Sequence, residues 1–146
     1  EADIVVVSAG GDPKDINLYQ AQKALDNAKY AAKKDGVIIL VAECPEGLGE
    51  KVFEEWIFAA KSPQEILKRV EKEFALGGHK AVAIALLLQK ARVIMVSSLS
   101  RELTERLFFQ YAANIDEAIR TALALKGPKA KVRVIPYGGS ILPVKK

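Results

Sequence analysis

The sequence predicts a three-layer α/β fold, with about four mainly parallel strands carrying helices on both faces. Three observations lead there. Short runs rich in β-branched residues recur along the chain, at Ile4 to Val7, Val37 to Val41, Val93 to Val96 and Val132 to Ile135. Between them lie segments whose apolar residues repeat at helical spacing. Helix-capping residues mark several of the borders. Strands separated by helices imply crossover connections, and hence parallel pairing with helices packed on the sheet.

Taken in order, Ile4 to Val7 is a continuous apolar run, as expected of a strand buried on both faces. Leu18, Ala21, Leu25, Ala28 and Ala32 then make one helical stripe, and Gly36 is read as its C-terminal stop. Val37 to Val41 is the second strand. Val52, Phe53, Trp56 and Ile57 form a short apolar helix face. Ser62-Pro63-Gln64-Glu65 is a capping box with proline at the first helical position, followed by Ile66, Val70 and Phe74 as its stripe. His79 to Ala91 reads as a nearly all-apolar buried helix leading into the third strand, Val93 to Val96. Leu103 to Phe109 is expected to be helical. Asn114-Ile115-Asp116-Glu117 caps another helix, which ends at Lys126-Gly127-Pro128. The fourth strand, Val132 to Ile135, alternates more and is expected at a sheet edge.

The chain has 146 residues, 50% of them hydrophobic and 27% charged, so it can bury a core without a staple and does not resemble a disordered segment. It is expected to form one α/β domain over 1–146. It opens on Glu1-Ala2-Asp3 without an initiator methionine and enters a strand at once, so it is expected to be part of a longer polypeptide; a processed terminus is the alternative. The one cysteine, Cys44, excludes an internal disulfide and fits a reducing, cytoplasmic setting. No apolar run approaches the ~20 residues of a membrane span. The net charge is +4, but most basic residues are interleaved with Asp and Glu. Only Lys129, Lys131, Arg133 and Lys145-Lys146 lack acidic company, so a solvated face is expected rather than a nucleic-acid surface.

Ligands of parallel α/β units bind at the carboxyl edge of the sheet. That rule gathers Ser8-Ala9-Gly10-Gly11, Glu43 to Gly47, Ser97-Ser98 and Pro136 to Ser140, and adds the helix start Gly77-Gly78-His79-Lys80. Gly10 and Gly11 would let backbone approach a ligand, or form a plain tight turn. Neither the dinucleotide fingerprint nor the P-loop pattern is present. One histidine and one cysteine cannot supply a conventional zinc site, and no metal is expected on this chain. His79 is either a ligand contact or base, or a helix-start histidine bonded to backbone. Carboxylates beside Cys44 oppose a thiolate nucleophile. Tyr19, Gln20 and Lys23 are spaced to cluster at the start of one helix, where a phenol, an amide and a cation suit a small carboxylate; an ordinary solvated helix face is the alternative.

Ile4 to Pro13 running into Asp15-x-Asn17-x-Tyr19-Gln20-x-x-Lys23 resembles the C-terminal domain of the nickel-dependent lactate racemase family. Ala42-Glu43-Cys44-x-Glu46-Gly47-x-Gly49, Gly77 to Ala81 and Pro136 to Ser140 share the resemblance. It implies a two-domain isomerase of 2-hydroxy acids, in which a nickel-pincer nucleotide takes a hydride from the chiral carbon and returns it to either face. The N-terminal domain would hold that cofactor and the acid/base histidines, leaving no catalytic residue and no bound cofactor on this chain alone. This domain would close over the cleft. Tyr19, Gln20, Lys23 and His79 would contact substrate, with Lys23 helping to hold its carboxylate and the Gly10-Gly11 loop facing the cofactor. The racemase proper carries a pocket tryptophan where this chain aligns His79, and the lone Trp56 lies elsewhere; that departure points to a 2-hydroxy acid other than lactate. The competing reading is an autonomous nucleotide- or phosphate-binding module without catalysis.

Overall fold

The structure, a computed structural model, describes residues 1–139. The elements run β1 (Ala2–Ser8), α1 (Leu18–Ala28), β2 (Ala32–Val41), α2 (Lys51–Ala59), α3 (Pro63–Lys72), α4 (Gly78–Lys90), β3 (Ala91–Val96), α5 (Arg101–Arg106), β4 (Gln110–Tyr111), α6 (Ile115–Lys126) and β5 (Val132–Ile135). The strands form one sheet in the order β4-β3-β2-β1-β5, and every pairing is parallel. The expected α/β architecture is therefore present, with the short β4 as a fifth strand.

Alternation along the strands divides the core into two layers. Val5, Val7, Ile38, Leu40, Val93 and Met95 face a cluster that includes Leu18, Leu25, Phe53, Trp56, Ile66 and Ile84, so α1 to α4 cover one side. Ile4, Val37, Ile39 and Ile94 pack with Ala118 and Ala122 of α6 on the other. The three central strands read as near-continuous apolar runs because both their faces are covered. β5 lies at the edge, as its alternation predicts: Ile135 is buried while Val134 is 66% exposed. β4 escapes a sequence reading because it has two residues and pairs only through Ile94↔Gln110 and Met95↔Tyr111.

The capping residues act as their chemistry dictates. Ser62 Oγ accepts from Glu65 N–H, and the Glu65 carboxylate accepts from Lys61 N–H. Asn114 Oδ1 accepts from Glu117 N–H at 2.8 Å, while the Glu117 carboxylate accepts from Ala113 N–H. In both boxes the glutamate reaches one residue further back than the usual reciprocal bond.

Five expectations need correction. The first helix ends at Ala28, and Ala32 begins β2; a buried alanine satisfies a helix stripe and a strand equally, so spacing alone could not separate them. Gly36 is not a helix stop but lies within β2, where the register shifts opposite Asp3. A Cβ there would fall 2.8 Å from the Lys33 carbonyl oxygen and 3.1 Å from that of Asp3, so only glycine fits. Phe74 lies beyond the end of α3 and is 78% exposed, because the chain has already turned toward α4. Helix α5 stops at Arg106, and Phe108 adopts φ 64° on the way to β4. In α4 the apolar run is buried on one side only: Ile84, Ala85 and Leu87 are enclosed, and Leu86 is exposed.

Candidate functional site

The rim at the carboxyl edge of the sheet is built by hydrogen bonds between loops. Cys44 N–H donates to the Asp15 carbonyl (2.8 Å), Glu46 N–H to that of Ile16 (2.9 Å), and Glu43 N–H to the Asp15 carboxylate (3.1 Å). Ser98 donates to the Glu43 carbonyl through both its N–H and its hydroxyl. On the other flank, Gly138 N–H donates to the Ser8 carbonyl and Asn27 Nδ2 to the Gly138 carbonyl. A Cβ at Gly138 would overlap the Val7 side chain, so the loop after β5 can reach β1 only with glycine there. The segments after the four long strands are thus held together where the topology places them. Ser140 and the Lys145-Lys146 pair lie outside the described residues.

The opening of α1 is anchored to this rim. Leu18 N–H donates to the Gly47 carbonyl and Tyr19 N–H to that of Leu48. Gln20 N–H donates to the Asn17 side chain at 2.9 Å and Ala21 N–H to the Asn17 carbonyl. The backbone donors that usually make a helix start attractive to anions are therefore already engaged by protein groups. Any anion here would be held by side chains.

Those side chains form two groups. Gln20 and Lys23 line a crevice of about 170 Å³ with Lys14, Ala9, Ala21, Ala24 and Gly139. Gln20 and Lys23 are exposed, and among the described residues neither the Gln20 amide nor the Lys23 ammonium is engaged in a hydrogen bond or ion pair. No acidic residue occupies the first turn of α1, so none opposes an anion from that turn. Tyr19 turns to the other side. Its ring meets Phe53 edge-on at 5.8 Å and His79 at 6.3 Å between centroids. The predicted trio shares the first turns of one helix, with Gln20 and Lys23 on the crevice and Tyr19 facing the start of α4.

That second helix start depends on two glycines. Gly77 adopts φ 97°, and Gly78 packs on the buried indole of Trp56, where a Cβ would fall 2.7 Å from Cε2. Next comes His79, whose Nδ1 accepts from Gly77 N–H at 3.0 Å. This is the backbone-bonded histidine that the sequence left as one option, yet the ring is exposed beside Tyr19. With Nδ1 accepting, the neutral ring carries its proton on Nε2. Lys80 follows, half-buried. Its Nζ donates to the Tyr19 carbonyl at 2.5 Å and lies 4.3 Å from the Tyr19 ring centroid. Burial holds its ammonium below the usual lysine range, with Asp26 favouring the charge and Lys23 opposing it. Lys80 closes the Gly77 to Lys80 segment that the sequence places at the ligand edge, and Lys14 lies in the loop before α1; the spacing argument singled out neither.

Gly10 (φ 101°) and Gly11 (φ 79°) both need the left-handed region that glycine tolerates. Gly10 backs onto Lys14 and Tyr137, while Gly11 borders a second crevice of about 440 Å³ with Ser8, Asp15, Glu43, Ser97 and Ser98. The β1–α1 loop thus separates a basic recess from one lined by carboxylates and hydroxyls. Cys44 is buried behind the loops. Desolvation first, then Asp15 and Glu43, push its thiol up to about 12, so it is no nucleophile at neutral pH. A further crevice of about 430 Å³ lies at the opposite, amino edge; there Lys90 and Lys126 already donate to the carbonyls of Lys29 and Asp35. Among the described residues no group of three or more His, Cys, Asp or Glu side chains is placed to hold a metal ion. None of the described helices is long and apolar enough to cross a membrane.

Among the described residues, the ligand edge of this parallel α/β sheet carries lysines, an amide, a phenol and an imidazole, groups whose chemistry can hold a small anion. The chain belongs to the lactate racemase C-terminal domain family, which it matches over residues 1–143. It is 34% identical over 146 residues to the lactate racemase of Thermoanaerobacterium thermosaccharolyticum, covering 97% of this chain and 34% of that protein. With the lactate racemase of Lactiplantibacillus plantarum it shares 33% identity over 147 residues, covering 97% and 35% respectively. The structure of the lactate racemase apoprotein from Thermoanaerobacterium thermosaccharolyticum superposes with a TM-score of 0.92 at 33% identity, over 99% of this chain and 36% of that one. The chain spans about a third of the length of the relatives it matches.

Proposed function

We propose that residues 1–146 form the C-terminal, substrate-closing domain of a longer cytoplasmic two-domain enzyme that racemises or epimerises a 2-hydroxy acid. One observation carries this reading: Gln20 and Lys23 share a crevice at the sheet's ligand edge, while Tyr19, from the same turn of α1, faces His79 at the start of α4. A carboxylate entering there meets the Lys23 ammonium and the Gln20 amide, and a charge-assisted bond in a partly enclosed recess is stronger than one in open water. Tyr19 and His79 then border the remainder of the substrate. An imidazole with its proton on Nε2 suits a more polar group than a bare methyl, in keeping with a 2-hydroxy acid other than lactate.

The nickel-pincer nucleotide implied by the family resemblance does not fit the described residues of this chain as a metal site of their own. In this reading the cofactor and the acid/base groups are carried by the N-terminal domain. The present chain acts on substrate through charge, hydrogen bonding and exclusion of water, and the isolated chain is expected to be inactive.

The nucleotide- or phosphate-module reading is not favoured. The match covers residues 1–143, and the opening N–H groups of α1 that would have bound a phosphate already donate to Gly47, Leu48 and Asn17. The test is to produce the full-length protein with its cofactor loaded and to screen 2-hydroxy acids for loss of optical activity. Lys23→Ala should lower kcat/KM by about tenfold to a hundredfold, the scale of a lost charge-assisted contact of roughly 1.5–3 kcal/mol. Racemisation by Lys23→Ala at the wild-type rate would remove the assigned role.

A further inference from the structure

Lys80 is the charged group that this reading of the site does not yet use. It extends from the first turn of α4 to the first turn of α1, 61 residues earlier in the chain, and donates to the Tyr19 carbonyl at 2.5 Å. Its ammonium lies 4.3 Å from the centroid of the Tyr19 ring. Tyr19 is therefore gripped twice by one side chain, at its backbone and at its π-face.

The charge environment of Lys80 is unusual for a fastening residue. It is half-buried, and among the described residues no carboxylate lies within ion-pair distance of it. Burial opposes its charge most, Asp26 favours it, and Lys23 opposes it to a lesser degree. A neutral amide could supply a hydrogen bond to a carbonyl without desolvating a charge. The geometry instead ties the ammonium to Tyr19, in the helical turn that also carries Gln20 and Lys23. Lys80 also adjoins His79, so the same residue links the anion-holding side of the site to its imidazole side.

We propose that Lys80 is a positioning residue for substrate binding: without touching the substrate, it fixes Tyr19 and, through it, the opening turn of α1 that carries Gln20 and Lys23. The proposal rests on the 2-hydroxy acid reading above. It assigns Lys80 to binding rather than to turnover, since its ammonium is already engaged by the Tyr19 carbonyl and ring.

The test uses the full-length, cofactor-loaded protein and compares wild type with Lys80→Met, which keeps the stem and removes the charge, and Lys80→Arg, which restores the charge. Two quantities are read: kcat and KM for the best 2-hydroxy acid from the screen, and the Kd of glycolate by calorimetry. Glycolate is an achiral 2-hydroxy acid, so it reports binding without turnover. Lys80→Met should raise both KM and the glycolate Kd about tenfold while kcat stays within about threefold, and Lys80→Arg should return both to within about threefold of wild type. A Lys80→Met protein with unchanged KM and Kd overturns the proposal, as does a fall in kcat without a change in binding, or a folded Lys80→Arg protein that binds no better than Lys80→Met. If Lys80→Met does not fold, Lys80→Arg decides: near-wild-type binding supports the proposal and a tenfold loss overturns it. If wild type neither binds glycolate nor racemises any 2-hydroxy acid, the functional reading itself fails and the proposal with it. If wild type does both and the variants match it, only the role of Lys80 is lost.

Discussion

Replacing Gly78 by alanine should test how the two halves of the site are held together. The added Cβ would fall 2.7 Å from Trp56 Cε2 and 3.0 Å from Cδ2 and Cζ2. Trp56 is 2% exposed, with Arg69 stacked 4.2 Å from its ring, so the indole has little room to retreat. Overpacking of this kind costs about 1–3 kcal/mol. Alanine offsets up to ~1 kcal/mol through its better helix propensity, and less at a first turn. The net expectation is a loss of about 1–2 kcal/mol, which for a domain of this size lowers Tm by roughly 3–8 °C. Scanning calorimetry of the purified protein reads the shift. Because α4 must move to admit the methyl group, His79 and Lys80 move with it, and KM for the substrate should rise along with the loss of Tm. An unchanged or raised Tm would refute the close approach of Gly78 to Trp56. A lowered Tm with unchanged KM would separate the helix start from the site.

Further expectations concern the rim. Asn17→Ala removes the acceptor for Gln20 N–H and should cost about 1 kcal/mol, with faster amide exchange at Gln20 than in wild type; equal exchange rates would count against the cap. Burial pushes the Cys44 thiol from its ordinary 9.0 up to about 12 in the folded chain, so its contribution to stability is fully present below pH ~9 and is lost as pH rises toward about 12. Denaturant midpoints measured at pH 8 and pH 10.5 should therefore fall less in Cys44→Ala than in wild type, and equal slopes would contradict the burial of the thiol.

Most of the architecture was legible in the chain because its signals are local. Ile4 to Val7, Val37 to Val41 and Val93 to Val96 are enclosed on both faces and read as continuous apolar runs. Ser62 and Asn114 mark helix starts through bonds spanning three residues. The errors fall where a residue fits two roles. Ala32 is small and buried in either secondary structure, and Gly36 serves a close backbone approach rather than a stop. For Cys44, the flanking Glu43 does act on the thiol, but burial outweighs it and Asp15, 29 residues away in sequence, acts ahead of it.

By itself the sequence determined a parallel α/β sheet, the order of its elements apart from the two-residue β4, and the loops that meet at its ligand edge, because periodicity, caps and the crossover rule act over a few residues or follow from chain order. Only the tertiary structure decided how those loops divide the rim. Packing of α4 on Trp56 and of α1 on the sheet brings Lys80 to Tyr19, turns Tyr19 toward His79, and leaves Gln20 and Lys23 on the basic crevice with Lys14. Such contacts join residues far apart in the chain, and their geometry is set by close-packed side chains whose positions no local pattern specifies.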